Sequence, residues 1–301
     1  MLPSGGEPGE LRLHNQALKQ SKPYLFVAPI LFFAVAFSYY PFIRTLIFSV
    51  SRVNRRGEVL EFVGLSNFIS IFGRDDFLIS LQNTVRLTAM YVPLSLVLAT
   101  CLALLVNKKR FFSALPEVVF SIPMAVSMAS ASLIFKVILN PTIGIVNSLL
   151  GIEFAWFWDQ NHAMVGVLVL CLWVGLAFDF LLMLVALRSV PPSLTEAAEI
   201  DGANMVRKFF RIQLPIVMPT VFFIACTNII LAMMTVTPML VITEGGPFRQ
   251  TQTLVCSMFV FGYQSQNYSI AAVFSITVFL ITFLFILLAF RLDKRVYYVS
   301  E

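Results

Sequence analysis

The sequence predicts an all-α membrane protein that crosses the bilayer six times. Of its 301 residues, 58% are hydrophobic and only 12% are charged, and the mean hydropathy is +0.86. Soluble domains contain about 25% charged residues, so a soluble chain this apolar could not cover its surface with polar groups. The chain also contains six apolar runs that approach or exceed the roughly 20 residues needed to span a bilayer.

The six predicted spans are separated by polar or charged segments. The first is too long for the apolar part of a secretory signal peptide, and no small-residue cleavage site follows it, so we expect it to be retained. The last contains neither a charge nor a proline. In order, the spans cover 24–48, 84–106, 116–139, 163–187, 216–242 and 270–290.

The distribution of lysine and arginine predicts the orientation. If the N-terminus is cytoplasmic, the basic residues of the tails, of 108–110 and of 188–211 all lie on the cytoplasmic side, and fewer lie outside. The positive-inside rule therefore predicts that both termini are cytoplasmic. The resulting organisation is a tail at 1–22, a transmembrane domain at 23–291 with a cytoplasmic loop at 188–215, and a tail at 292–301.

The loop 188–215 is predicted to begin with a short helix. Pro191 and Pro192 remove two backbone donors and should end the fourth span. Ser193 stands three residues before Glu196, which is the spacing of a capping box. We therefore expect a new helix to start at Ser193.

A glycine and an asparagine predict how the loop continues. Gly202 is placed to end the first helix in a left-handed conformation. Asn204 can then cap a second short helix, and Pro215 can start the fifth span. A basic interfacial helix of this kind often rests on lipid headgroups, so membrane contact and protein docking are both open. We expect one face of the second helix to carry Val206, Phe209, Phe210 and Gln213.

Several function classes are excluded by what the sequence lacks. No GxxxxGK[ST] motif occurs, so the chain has no P-loop of its own for ATP hydrolysis. The spans contain no Ser/His pair, paired aspartates or metal cluster of an intramembrane enzyme, and a net charge of +5 does not indicate nucleic acid as a partner. No CxxC occurs and the two histidines lie far apart, so neither a disulfide framework nor a metal site is expected at Cys101, Cys171, Cys226 and Cys256.

One pattern carries a family resemblance. Glu196-Ala197-Ala198, Gly202, Ile212 and Leu214-Pro215 occur at the spacing EAA-x3-G-x9-I-x-LP. This resembles the signature of the transmembrane permeases of binding-protein-dependent ABC importers. Further stretches resemble their sugar-permease class, which includes maltose and glycerol-phosphate permeases, from about residue 23 to the sixth span: YLFVAPI, FVGLSNF, LNPTIGIVNSLL, LRSVPPSLTEAAEIDGA and EGGPFRQTQTL.

The resemblance implies the type I importer permease fold and a set of partners. The chain would pair with a second permease, as a heterodimer, in a bacterial or archaeal cell membrane. An extracytoplasmic solute-binding protein would deliver the cargo, and two separate cytoplasmic ATPases would hold ATP and Mg²⁺. This chain would bind no cofactor. The loop would form coupling helices that contact an ATPase through Glu196, Ala197, Ala198, Asp201 and Gly202.

The resemblance also implies a substrate pathway between the fourth and fifth spans. Polar and aromatic side chains suit a hydroxylated cargo, such as a carbohydrate, a polyol or glycerol phosphate. Asp179 adds an intramembrane carboxylate, which usually faces a pathway or a partner helix. Interhelical hydrogen bonding is the alternative for Asp179, Asn228 and Thr235. The pathway positions are Cys171, Val174, Gly175, Phe178 and Asp179 in the fourth span, and Asn228, Ala232, Thr235 and Thr237 in the fifth.

A second function class is an ion-gradient-driven transporter of a small polar solute. Such carriers use intramembrane acidic groups for the coupling ion and often contain inverted repeats. Asp179 is one such group, but it is isolated, and the sequence shows no internal repeat.

Overall fold

A computed structural model describes residues 27–107 and 114–293. The predicted N-terminal tail, most of the predicted C-terminal tail and the basic residues Lys108, Lys109 and Arg110 lie outside the described residues. In chain order the helices and strands are α1 (Val27–Ser49), β1 (Ser51–Val53), β2 (Val59–Phe62), α2 (Ser66–Phe72), α3 (Asp75–Val106), α4 (Ala114–Ser121), α5 (Met128–Ile138), α6 (Ile145–Leu150), α7 (Ala163–Ser189), α8 (Pro192–Ile200), α9 (Met205–Lys208), α10 (Leu214–Met234), α11 (Leu254–Gln264) and α12 (Tyr268–Asp293).

Within residues 27–107 and 114–293, five helical segments are long and apolar enough to cross a membrane. They are α1, α3, α7, α12 and the run Met205–Thr243, which contains α9 and α10. α7 is the central one: 56% of its most apolar stretch is buried, against 0% for α1. It packs mainly against α3, and also against α10, α5 and the segment 114–125. The helices α3, α5, α7 and α10 enclose the site described below.

The third predicted span is not one straight helix. The run 116–139 forms two helices, Leu115–Ala125 and Met128–Ile138, which meet at an angle of 102°. Pro123 lies in the first turn of a 3₁₀ segment, and Val126 is extended. The Ser127 side chain then accepts a hydrogen bond from the backbone N–H of Ser130 and starts α5. The part of the chain that the structure describes has up to six spans if this bent pair counts as one.

The second span also differs from its prediction, because α3 begins at Asp75 rather than near residue 84. Asp75 and Asp76 lie in its first turn, where negatively charged carboxylates stabilise the positive end of the helix dipole. At 32 residues α3 is about 48 Å long at 1.5 Å per residue, so it extends beyond the hydrocarbon core. The added segment is held by Asn83, whose amide donates to the carbonyls of Arg249 (2.8 Å) and Gln252 (3.0 Å).

A two-stranded ribbon departs from the all-helical prediction. β1 and β2 pair antiparallel, with Ser51 opposite Phe62. The ribbon is tied to the last span by Ser269, whose hydroxyl accepts from the N–H of Val53 (2.9 Å) and donates to the carbonyl of Ser51 (2.8 Å). It lies between α1 and α2 and leaves the helical core unchanged.

The core around α7 consists of two apolar clusters stacked along α3, α7 and α10. We call the one next to loop 188–215 the proximal cluster and the other the distal cluster. The distal cluster includes Leu87, Tyr91, Cys171, Leu172 and Ala232. The proximal cluster includes Ala103, Val106, Phe180, Met183, Leu184, Leu187, Val190, Phe209, Val217 and Ile224.

Candidate functional site

The first helix of loop 188–215 starts at a proline. α7 ends at Ser189, Val190 and Pro191 are extended, and α8 starts at Pro192. The predicted capping box is wrong, because the N-cap is Pro191 and no side chain caps this helix. The fixed φ angle of proline suits the first helical position, and this places Ser193 inside the first turn.

The turn between the two loop helices follows the prediction. Gly202 has φ +74°, the left-handed conformation that favours glycine. The Asn204 side chain accepts a hydrogen bond of 2.8 Å from the N–H of Arg207 and caps α9. Pro215 lies in the first turn of α10. The roles predicted for Gly202, Asn204 and Pro215 in the backbone are therefore confirmed.

Most of the predicted ATPase-contact residues lie at the surface. Glu196, Ala197, Asp201 and Gly202 are exposed, whereas Ala198 is buried and faces the protein. The ammonium group of Lys208 pairs with the Glu199 carboxylate and links α9 to α8. The hydrogen bond and the charge of Lys208 hold the pKa of Glu199 below its usual value.

The loop presents apolar side chains beside these residues. Ile200 is 88% exposed, which is unusual for a residue of its type. The predicted common face of the second helix splits, because Phe209 and Gln213 are buried while Val206 and Phe210 are exposed. Exposed apolar side chains of this kind are available for contact with a partner or with lipid. The exposed apolar residues of the loop are Leu194, Ile200, Met205, Val206 and Phe210.

The loop is attached firmly to the helices on either side. Phe209 is only 9% exposed and packs in the proximal cluster with residues of α7 and α10. Val190, at the other end of the loop, belongs to the same cluster. A displacement of the loop therefore acts directly on α7 and α10.

A cavity of about 130 Å³ lies between α3, α5, α7 and α10. Five predicted pathway residues line it: Cys171, Val174, Gly175, Ala232 and Thr235. The wall also contains four residues that the sequence analysis missed: Leu87 and Tyr91 of α3, Met128 of α5 and Leu231 of α10. Leu87 and Tyr91 are four positions apart, on one face of α3, and this spacing is the signal that could have identified them.

Gly175 is fitted to Tyr91 across the α3–α7 contact. A Cβ atom on Gly175 would lie 2.1 Å from the Tyr91 hydroxyl oxygen. Any larger residue would have to displace the tyrosine ring. The absence of a side chain at Gly175 thus lets Tyr91 form one wall of the cavity.

The remaining predicted pathway residues do not line this cavity. Phe178 is 39% exposed, and Thr237 is half-buried. Asp179 and Asn228 are fully buried. The Asp179 carboxylate accepts hydrogen bonds from the Ser95 hydroxyl and, at 2.7 Å, from the Asn228 amide. Asp179 therefore links α3, α7 and α10 within this chain. This is the interhelical hydrogen bonding that the sequence analysis gave as the alternative to a role in the pathway.

Comparison with known proteins identifies the family. Residues 91–298 match the family described as the binding-protein-dependent transport system inner membrane component. This match covers more than half of the chain. The chain belongs to this family of importer permeases. Membership favours an ABC importer over the ion-driven carrier, and it makes the chain a transport subunit rather than an enzyme.

Curated relatives and a solved structure agree with this assignment. The permease is 33% identical over 277 residues to the sn-glycerol-3-phosphate transport system permease protein UgpA of Yersinia pestis bv. Antiqua, covering 91% of this chain and 94% of the relative. The UgpA of Salmonella typhi is 32% identical over 282 residues, covering 92% and 95%. The fold matches a bacterial ABC transporter involved in the import of the acidic polysaccharide alginate, with a TM-score of 0.83 at 19% identity, over 95% of this chain and 99% of that one.

Proposed function

We propose that this permease forms half of the translocation path of an ATP-driven importer for a carbohydrate, a polyol or glycerol phosphate. The observation that carries the proposal is the link between the exposed EAA loop and the cavity. Phe209 and Val190 anchor the loop in the proximal cluster, which is built on α3, α7 and α10, three of the four helices that line the cavity. A protein that moves the loop therefore moves the wall of the cavity.

The loop docks a separate ATPase chain. Exposed Ala197 allows close approach, Gly202 provides the turn, and Glu196 and Asp201 offer carboxylates for charge-assisted hydrogen bonds. Ala198 acts differently from the other motif residues, because it is buried and lets α8 pack closely onto the protein. ATP and Mg²⁺ are held by two such ATPases on the cytoplasmic side, and both termini of the permease lie on that side as well.

The path is completed by a second permease, and the cargo arrives from an extracytoplasmic solute-binding protein. The apolar surface of α1, of which none is buried within the chain, faces lipid or the second permease. The cargo class is supported by two names, a glycerol-phosphate transport system for the relatives and alginate import for the structural neighbour.

Transport then follows from a two-state arrangement of the helices. When ATP closes the pair of ATPases, the two loop helices move with them. α7 and α10 both tilt in response, since both ends of the loop are packed in the proximal cluster. The cavity wall is thereby switched between an outward-open and an inward-open form, which is a rigid-body transition of a packed interface.

The test is uptake by the reconstituted complex. We expect the complex, purified from its native cells through a tag on this chain, to import glycerol phosphate or an oligosaccharide into proteoliposomes only with ATP and the binding protein. Uptake by this chain alone, driven by an ion gradient, would contradict the proposal.

A further inference from the structure

A buried polar layer separates the two apolar clusters. It consists of Ser95, Asp179 and Asn228, none of which is more than 1% exposed. The distal cluster lies on one side of the layer and the proximal cluster on the other. Each member lies one helical turn closer to loop 188–215 than a residue of the cavity: Ser95 after Tyr91, Asp179 after Gly175, and Asn228 before Ala232. The layer is therefore the floor of the cavity.

The acidic member of this layer, Asp179, has neutral hydrogen-bond partners. The carboxylate of Asp179 accepts from Ser95 and Asn228, and no lysine or arginine forms an ion pair with it among residues 27–107 and 114–293. The Oδ1 atom of Asn228 is buried without a hydrogen-bond partner in the same part of the chain. An unpaired buried acceptor is costly, so the closed layer is less stable than a fully paired one.

These features reduce the cost of opening the layer. When the helices part, water can solvate the carboxylate, the hydroxyl and the amide, and the Oδ1 atom of Asn228 gains a partner. Wetting an apolar layer brings no such gain, because apolar surface is unfavourable in water. The layer thus stabilises one register of the closed helices and still permits their separation, as a two-state element requires.

The layer also links the two helices that lie on either side of loop 188–215. Asp179 is on α7 and Asn228 is on α10, and loop 188–215 is the connection between these helices. The hydrogen bond between Asp179 and Asn228 therefore links the two helices that the loop connects. A motion that separates the loop ends of α7 and α10 therefore acts on this bond before it reaches the cavity.

We propose that Ser95, Asp179 and Asn228 form the cytoplasmic closure of this subunit's half of the path, with Asp179 as its positioning residue. This rests on the proposed function as an importer permease. The layer is dry and closed beneath the cavity in one state, and it parts and fills with water when the loop moves α7 and α10. The cargo then leaves the cavity through it.

Cys171 is a natural reporter for this closure, because it lines the cavity about two helical turns beyond Asp179. We use inside-out membrane vesicles containing the whole complex, so that a membrane-impermeant methanethiosulfonate reagent meets only the cytoplasmic face. Labelling of Cys171 is followed by peptide mass spectrometry. In the wild type we expect labelling without nucleotide and about tenfold slower labelling with a non-hydrolysable ATP analogue, as the open population falls.

Two substitutions of Asp179 separate closure from packing. Asp179→Leu has similar volume and should keep the layer dry, so Cys171 labelling is slow in both states and uptake falls about tenfold or more. Asp179→Asn keeps an oxygen that accepts both hydrogen bonds, so state-dependent labelling and most uptake remain. If Asp179→Leu does not assemble, Asn228→Leu is used, with Thr227→Val as its matched control, since the Thr227 hydroxyl bonds only to carbonyls of its own helix.

The outcomes distinguish the closure from the importer itself. Wild-type uptake that does not depend on ATP would refute the proposed function. ATP-dependent uptake in the wild type together with wild-type labelling and uptake in Asp179→Leu or Asn228→Leu would overturn the closure alone. That result would show that the layer only packs the helices.

Discussion

Loop 188–215 and the membrane cavity obtain their chemistry in opposite ways. The loop's contact residues are neighbours in sequence, and a cap at Asn204 and a left-handed Gly202 fix their shape locally. The cavity is assembled from four helices, and its floor joins Ser95, Asp179 and Asn228 across long stretches of chain. A change in the loop should therefore affect docking and leave the bundle intact, while a change at the cavity should affect packing and transport together.

The largest effect is expected from reversing charge in the loop. Glu196→Arg replaces an exposed carboxylate at the proposed docking surface, and a mispaired charge across an interface costs several kcal/mol. We expect uptake to be lost and the ATPase to copurify poorly, with normal amounts of permease in the membrane. The matched control is Glu153→Arg, an exposed carboxylate outside the loop. Equal losses in both variants would show that the loop has no special role.

A smaller effect, which tests the cavity side of the comparison, is expected from Gly175→Ala. The added methyl group would meet the Tyr91 hydroxyl, and overpacking of this kind costs about 1–3 kcal/mol. We expect a lower thermal midpoint and reduced uptake, with ATPase copurification unchanged. Tyr91→Phe removes the clashing oxygen, so the double variant should recover part of both. If Tyr91→Phe brings no recovery, the clash is not the cause.

Glycine conformation gives a finer test on the loop side. Among the described residues, Gly202→Ala meets no atom within 4 Å, so its cost is that of the left-handed backbone, roughly 1–2 kcal/mol. Gly151→Ala is the matched control. Gly151 lies outside the loop, and it also has a left-handed backbone, with φ +64°, and no described atom within 4 Å of an added Cβ. We expect Gly202→Ala to reduce ATP-driven uptake several-fold and Gly151→Ala to leave it near wild type. The reverse order would place the sensitive turn outside the docking loop.

The smallest effect is expected at the Lys208–Glu199 pair. Its partner lowers the pKa of Glu199, so the pair's contribution is complete above the ordinary glutamate range and is lost only as the pH falls through the lowered value. Uptake and ATPase copurification should therefore not change between pH 6 and 8 because of this group. Glu199→Gln should differ little from wild type over that range. A pronounced pH dependence that disappears in Glu199→Gln would contradict this account.

How far the sequence predicts the molecule depends on this same contrast. The spans, the Gly202 turn and the Asn204 cap follow from local patterns, and so does the resemblance carried by the EAA motif. The Ser193 capping box fails because Pro192 starts the helix one residue earlier. The bend in the third span depends on Pro123 and the Ser127 cap within an apolar run, which hydropathy alone does not register.

The sequence predicts only part of the cavity lining, because the rest depends on tertiary packing between helices. Cys171, Gly175 and Ala232 were found through resemblance, but Tyr91 and Ser95 belong to α3, whose facing side is defined only by packing against α7. Asp179 has an intramembrane charge that the sequence reveals, whereas its bonds to Ser95 and Asn228 depend on helix rotation. Local signals therefore predict the structure of loop 188–215 more completely than that of the cavity.

The central claim is that loop 188–215 transmits the action of an ATPase to the path, and thiol blocking at Ala197 tests it most directly. Ala197→Cys is made in a Cys101→Ser background, because Cys101 is exposed, and the assembled complex is treated with a bulky thiol reagent before reconstitution. We predict that the treatment abolishes ATP-driven uptake in this variant and leaves the background chain unaffected. Undiminished uptake with Ala197→Cys fully modified would contradict the account.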